Sequence, residues 1–198
     1  MGLGLDYGEG QTPLDEDEKE GLLISTITTR GELDEFEQLG VERAMEWTRK
    51  RRVALADILT EQFVRDLHKR MFQDIWRWAG DFRTSNKNLG VDVGEIRIEL
   101  RKLFDHCRYW IDQKAFVEDE IGVRFSHRIV TIHPFANGNG RHSRLLGDIV
   151  VSHGLGRPYF TWGSINLTAK GAARSAYLQA LRKADQNDYS DLIVFARQ

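Results

Sequence analysis

Apolar residues recur every three or four positions through most of this chain, the period of a helix lying against a core. Leu33, Phe36, Val41, Ala44 and Trp47 predict a helix from Glu32 to about Arg49, with acids in its first turn and bases in its last, the polarity that the helix macrodipole favours. Val64, Leu67, Met71, Ile75 and Trp78, widened by Phe63 and Phe72, predict a second from Thr60 to Trp78, closed by Gly80. Leu100, Leu103, Phe104, Cys107 and Ile111 mark a third, from Glu95 to Ile111. A fourth, from Glu118 to Thr131, carries Ile121, Phe125, Ile129 and Ile132 on one face. Leu145, Leu146, Ile149 and Val150 make a strongly apolar helix ending near Gly154. Ala173, Ala176, Ala180 and Ala184 with Tyr177 and Leu181 predict a close-packing helix from Thr168 to Ala184, and Leu192, Ile193 and Phe195 a short last one.

Two stretches break the helical period. From Asp81 to Gly94, Asn86, Asn88, Gly90 and Gly94 mix with Leu89, Val91 and Val93 in rough alternation, which predicts a short β-hairpin or extended flap. Residues 1–24 hold several glycines and the acidic run from Asp15 to Glu18, a composition that reads as a loose leader. The remainder, 25–198, is expected to be one all-α domain of about seven helices with one short hairpin flap.

Composition changes this picture little. The 198 residues are 41% hydrophobic and 29% charged, enough for a full core. A net charge of −2 gives no broad footprint for nucleic acid, and Arg49-Lys-Arg-Arg52 reads as a solvated helix end. The single cysteine, Cys107, excludes an internal disulfide, and its place on an apolar face predicts a buried structural thiol. No apolar run approaches a membrane span of about 18 residues, and the N-terminus lacks a signal pattern, so a cytoplasmic protein is the expectation.

The chemistry concentrates between His133 and Arg144. Gly138-Asn139-Gly140 sits where a helix begins, so several backbone N–H groups lack intrahelical partners and the glycines let them curl around an anion. Arg141 and Arg144 occupy that helix's first turn, where the macrodipole is already positive and each costs several tenths of a kcal/mol unless a polyanion is bound. Three residues apart, they share one helical face and are expected to grip phosphate oxygens together. His133 precedes the turn, placed to deprotonate an incoming hydroxyl. It also continues the apolar stripe of Ile129, so read alone it is a core histidine. The bland alternative for the arginines is that they pair with Asp148 or another acid.

These residues resemble the Fic/Doc family, whose signature His-x-Phe-x-(Asp/Glu)-Gly-Asn-Gly-Arg-x-x-Arg stands here as His133-Pro-Phe-Ala-Asn137-Gly-Asn-Gly-Arg-His-Ser-Arg144. Similarity extends upstream through Leu67–Phe72 and Trp76–Arg83 and downstream through Tyr177–Tyr189, and the chain as a whole is most similar to the bacterial subgroup called mobile mystery protein B. The resemblance implies a helical core and transfer of AMP from ATP, with Mg²⁺, to a Ser, Thr or Tyr hydroxyl of a target protein. It makes His133 the general base. Gly138, Asn139 and Gly140 become the phosphate cradle, Arg141 and Arg144 the outer-phosphate ligands, and Phe135 the packing beneath the loop. Thr84, Ser85, Asn86, Lys87, Asn88, Leu89, Gly90 and Val91 become the flap that aligns the target segment by strand addition. Asn137 replaces the acid that helps hold Mg²⁺; its amide oxygen still ligates, without the charge. A regulatory glutamate in a Ser/Thr-x-x-x-Glu-Gly/Asn helix restrains many members. Thr28-Thr-Arg-Gly-Glu32 has that spacing, followed by Leu33, which makes Glu32 the candidate inhibitor under the resemblance and a first-turn helix acid without it. A separate antitoxin-like protein is the other route to restraint, and self-association into a homodimer stays open. So do three other activities: transfer of another phosphate-containing group, removal of AMP, and a nucleotide-binding interaction module of the toxin–antitoxin kind.

Overall fold

The computed structural model describes residues 12–164 and 171–198. Among them the chain is helical, with nine α-helices in the order α1 (Glu16–Lys19), α2 (Arg30–Arg49), α3 (Leu55–Ile58), α4 (Glu61–Phe72), α5 (Ile96–Asp112), α6 (Glu118–Ile132), α7 (Asn139–Ile149), α8 (Ala172–Ala184) and α9 (Ser190–Arg197). Two of these, α1 and α3, are single turns with no long apolar stripe for the sequence to show. The starts follow local chemistry. The Thr29 hydroxyl accepts the Glu32 N–H at 3.3 Å, and the Thr60 hydroxyl accepts that of Phe63 at 3.1 Å. The expected start of α8 at Thr168 lies outside the described residues.

Two apolar clusters hold the helices together. The larger joins α2, α4, α5, α6 and α7 through side chains such as Leu33, Leu67, Phe72, Leu103, Phe125 and Leu146. The smaller packs Val123, Val151, Phe160, Trp162, Tyr177 and Phe195 between α6, α8 and α9. Each fully buried Leu or Phe adds about 1.5–3 kcal/mol. Because α6 contributes to both clusters, the loop that follows it is fixed from two sides. Cys107 is fully buried, and burial pushes its thiol up to about 12, which suits a packing role. No helix among the described residues is long and apolar enough to cross a membrane.

Three expectations need revision. First, α4 ends at Phe72, not Trp78. The Leu23 N–H donates to the Ile75 carbonyl and the Arg77 N–H to the Gly21 carbonyl, each at 2.8 Å, so the backbone that would extend the helix instead pairs with residues 21–23. Ile75 and Trp76 stay buried, which is why the stripe looked continuous. Second, the leader is packed from residue 12 onward, with Thr12 and Leu14 buried. Third, residues 84–92 form no strand pair. The Asn86 side chain closes the flap, its amide oxygen accepting the Val93 N–H at 2.8 Å and its amide nitrogen donating to Asp92 at 2.9 Å. The backbone N–H groups of Arg83 and Val91 go instead to the carbonyls of Pro134 and Ile132. A hairpin ladder is replaced by stitches to the loop after α6.

Candidate active site

Where α6 stops, His133 holds a left-handed backbone at φ 55° and ψ 59°, which costs an L-residue about 1–2 kcal/mol. Pro134 opposes another helical turn because its ring crowds the residue before it. Phe135 then drops into the core and stacks on His68 with ring centroids 3.7 Å apart. The Asn139 side chain brackets Phe135, its oxygen accepting the Phe135 N–H at 3.0 Å and its nitrogen donating to the Phe135 carbonyl at 2.7 Å. His68 donates through Nε2 to the Asn137 carbonyl and accepts the Gly80 N–H at Nδ1, both at 3.0 Å. Gly138, at φ 78°, begins α7 directly over the Phe72 ring, where a Cβ would lie 2.5 Å from a ring carbon. Only glycine fits. Burial lowers the pKa of His68 and pushes that of His142 down to about 3, so the floor of the loop is uncharged at neutral pH.

The tautomer of His133 follows from its neighbours. Nδ1 faces the Val130 carbonyl at 3.2 Å, and a carbonyl can only accept, so Nδ1 carries the hydrogen. Nε2 is therefore a lone pair. The Thr12 hydroxyl, 2.8 Å away, donates to it. Burial lowers the imidazole's pKa to about 4, with Arg83 and Lys87 acting in the same direction, so the neutral base is the form present at pH 7.

The two arginines diverge. Arg141 Nη2 donates to Glu37 Oε2 at 2.5 Å, and Glu37 is fully buried. The same carboxylate accepts from Trp76 Nε1 at 2.7 Å and from the Asn137 amide at 3.1 Å. Arg144 leans toward α8, its guanidinium 5.2 Å from the centre of the Tyr177 ring. It lines a cavity of about 380 Å³ with Gly140, His133, Leu89, Gly90, Tyr177 and Leu181. That volume lies within the range of small-molecule sites. Arg144 lines the cavity, whereas Arg141 already has an acid.

Arg83 sets the flap. It is buried, and it donates to the backbone carbonyls of His133 at 2.7 Å, Ser85 at 2.8 Å and Val91. One guanidinium thus ties both arms of the flap to the loop after α6. Gly90, at φ 106°, passes so close that a Cβ would sit 2.7 Å from that of His133. Ser85 and Lys87 face the N-terminal residues, both bonding Asp15, while Leu89 overhangs the cavity. Thr84, Asn86 and Asn88 are exposed.

With this geometry in hand, residues 58–151 match the Fic/DOC family. The chain carries a Fic/DOC-family domain. It is 31% identical over 119 residues to "Protein adenylyltransferase Fic" of Aedes aegypti, covering 58% of this chain and 24% of that protein. It is 34% identical over 128 residues to "Probable protein adenylyltransferase y4lH" of Sinorhizobium fredii, covering 59% of this chain and 62% of that one. The chain thus spans less than two thirds of either curated relative. Among solved structures, BepC of Bartonella tribocorum, determined with bound AMPPNP, superposes at a TM-score of 0.66 with 17% identity, covering 92% of this chain and 97% of that one. That likeness shows the Fic fold.

Within the Fic domain, His133, Gly140, Arg144, Leu89 and Gly90 converge on the cavity. Asn139 turns inward as a brace, and the Gly138 N–H is capped by the Asn137 side-chain oxygen at 2.7 Å. Glu32 lies apart from the motif contacts. Its exposed carboxylate accepts the N–H groups of Thr28 and Thr29 at 2.9 and 3.0 Å and its own N–H goes to Thr29, which is a capping box. The buried acid that meets a motif arginine is Glu37. The sequence held one sign of it, because Glu37 falls on the stripe of Leu33, Val41 and Ala44, where a charge needs a partner. Thr12 and Arg83 left no such sign, since their partners, the His133 ring for one and backbone carbonyls for the other, are brought to them by the fold. For Mg²⁺, no cluster of three or more His, Cys, Asp or Glu occurs among the described residues. The donor present is the Asn137 amide oxygen, which also accepts the Gly138 N–H, and it fits an ion that takes most of its ligands from phosphates and water.

Proposed function

We propose that this protein transfers AMP from ATP to a hydroxyl side chain of a protein. The observation that carries this reading is His133 Nε2, a lone pair fixed by the Nδ1 hydrogen bond and already accepting from an aliphatic hydroxyl at 2.8 Å. It stands beside the N-terminus of α7 and a cavity lined by Arg144. The names of the relatives support the same chemistry. In this reading the nucleotide occupies the cavity near Tyr177 and Leu181. Its phosphates face the first-turn N–H groups of α7, which lack intrahelical acceptors. Arg144 pairs with an outer phosphate, and His133 takes the proton of the attacking hydroxyl. Asn137 would help to hold Mg²⁺ beside the phosphates, and the ion would supply neutralisation of their charge. The flap backbone, tied down by Arg83, aligns the target. Positioning and charge supply the acceleration, as in phosphoryl transfer generally.

The test is incubation with labelled ATP and Mg²⁺ in a cell lysate. Label is expected on a protein, reduced at least about a hundredfold in His133→Ala. Equal labelling by the variant overturns the mechanism, and label from another donor alone replaces ATP. A second reading draws on Glu37, which already neutralises Arg141. It is a module that binds the nucleotide with little turnover, and calorimetric ATP binding without labelling of any protein would favour it.

A further inference from the structure

The place that the proposed reaction reserves for the target's hydroxyl is filled by the chain itself. Thr12 is buried, and its Oγ1 lies 2.8 Å from His133 Nε2. The tautomer fixed by Val130 leaves that nitrogen as acceptor, so the threonine proton points at the base. This is the geometry general-base activation requires.

The segment that carries Thr12 is held against the flap by side chains. Leu14 is buried in the larger core. Lys87 of the flap donates to Asp15 and to Glu18, each at 2.6 Å, and its own side chain is only 3% exposed. Ser85 of the flap donates to Asp15 at 2.7 Å. Trp78 Nε1 donates to the Glu18 carbonyl at 2.9 Å, and Leu22 bridges antiparallel to Trp76. The residues from Thr12 to Leu23 thus form a strap anchored at its far end and delivering one hydroxyl to the base. An isosteric valine at this position would leave the buried Nε2 without a donor.

We infer that Thr12 is an intramolecular acceptor, adenylylated by the same molecule's active site; this rests on the proposed transferase activity. The Thr12 Oγ1 attacks the α-phosphorus of ATP, forming an Oγ1–P bond as the bond from that phosphorus to the β-bridging oxygen breaks. His133 Nε2 takes the hydroxyl proton, and pyrophosphate leaves with the bonding pair. The product is a phosphodiester of Thr12 with AMP. No co-reactant besides ATP is required.

Purified full chain incubated with ATP and Mg²⁺, followed by peptide mass spectrometry, tests this. AMP is expected on the Thr12 peptide, with a labelled fraction that does not change on tenfold dilution. His133→Ala should lower it at least about a hundredfold. Thr12→Val should remove it, and Thr12→Ser, which keeps the hydroxyl, should restore label at residue 12. Circular dichroism of each variant separates lost chemistry from lost fold. In a mixture of wild type with a tagged His133→Ala copy, the tagged Thr12 should stay unmodified; labelling there equal to wild type overturns the intramolecular step. AMP on lysate proteins, or on other residues of this chain, with Thr12 bare overturns the inference and leaves the transferase reading standing. Absence of transfer to any protein overturns both.

Discussion

Two pieces of the N-terminal part of the chain reach the loop between α6 and α7, and they hold it differently. The strap from Thr12 to Leu23 touches His133 through one hydroxyl and is fastened to the flap by a lysine shared between two carboxylates, one of them 55% exposed. Its only helix is α1, a single turn with no buried residue. Helix α2, twenty residues long, places the Glu37 carboxylate among three donors in a fully buried position. The first contact can open at the cost of withdrawing Leu14, leaving the helices of the core in place. The second cannot, because a carboxylate and a guanidinium buried together are stable only while both are present. His133 is therefore guarded by something displaceable, and Arg141 by something structural.

The largest effect should come from breaking the buried pair. Glu37→Ala leaves the Arg141 guanidinium, whose side chain is 10% exposed, without its carboxylate, at an expected cost of about 3–5 kcal/mol in denaturant unfolding. Loss below about 1 kcal/mol would mean that Arg141 finds another partner easily, and the contrast with the strap would fall.

Asn137→Asp should rank next. The amide at 137 donates to Glu37 at 3.1 Å, and an aspartate there would set two carboxylates against each other in a dry site. This gives a physical reason for the one place where the chain leaves the Fic signature. The single variant should lose stability, and Glu37→Gln added to it should recover part of the loss. A strictly additive double mutant would show that the two positions do not couple.

The smallest effect belongs to the strap. Lys87→Ala removes a side chain that is 3% exposed but bonds the solvent-facing Asp15 as well as Glu18, so closure should fall by about 1–2 kcal/mol, roughly five- to thirtyfold in the closed population. Its readout is His133. Covered and buried, the imidazole has its pKa lowered from the ordinary 6.5 to about 4, so the folded form binds fewer protons between those values than the unfolded chain does. Its contribution is present above pH 6.5 and is lost as the pH falls toward 4. An NMR titration should place the wild-type midpoint near 4 and move it upward, toward 6.5, in Lys87→Ala. An unmoved midpoint would mean that the core, and not the strap, keeps the imidazole neutral.

Much of this was legible in the residues. Periodic stripes located α2, α5, α6, α7 and α9, because an amphipathic helix writes its buried face into the chain at a fixed spacing. The stripe of α4 ran on through Ile75 and Trp78 because burial continued there after the helix stopped. The motif from His133 to Arg144 marked the candidate site, since an anion nest and a base need particular residues close together in the chain. What neighbours in sequence cannot show is where their free valences go. Arg141 and Arg144 look equivalent three residues apart, and only the packing of α2 and α8 on either side of α7 gives one an acid and the other a cavity.

The sequence by itself determined the helices, the loop and the chemical type of its side chains, because those depend on residues within a turn or two of each other. The tertiary structure alone decided which of those groups is free to react. Thr12 meets His133 across 121 positions and Glu37 meets Arg141 across 104, and contacts that distant are set by how the cores close, with no periodicity in the chain to announce them.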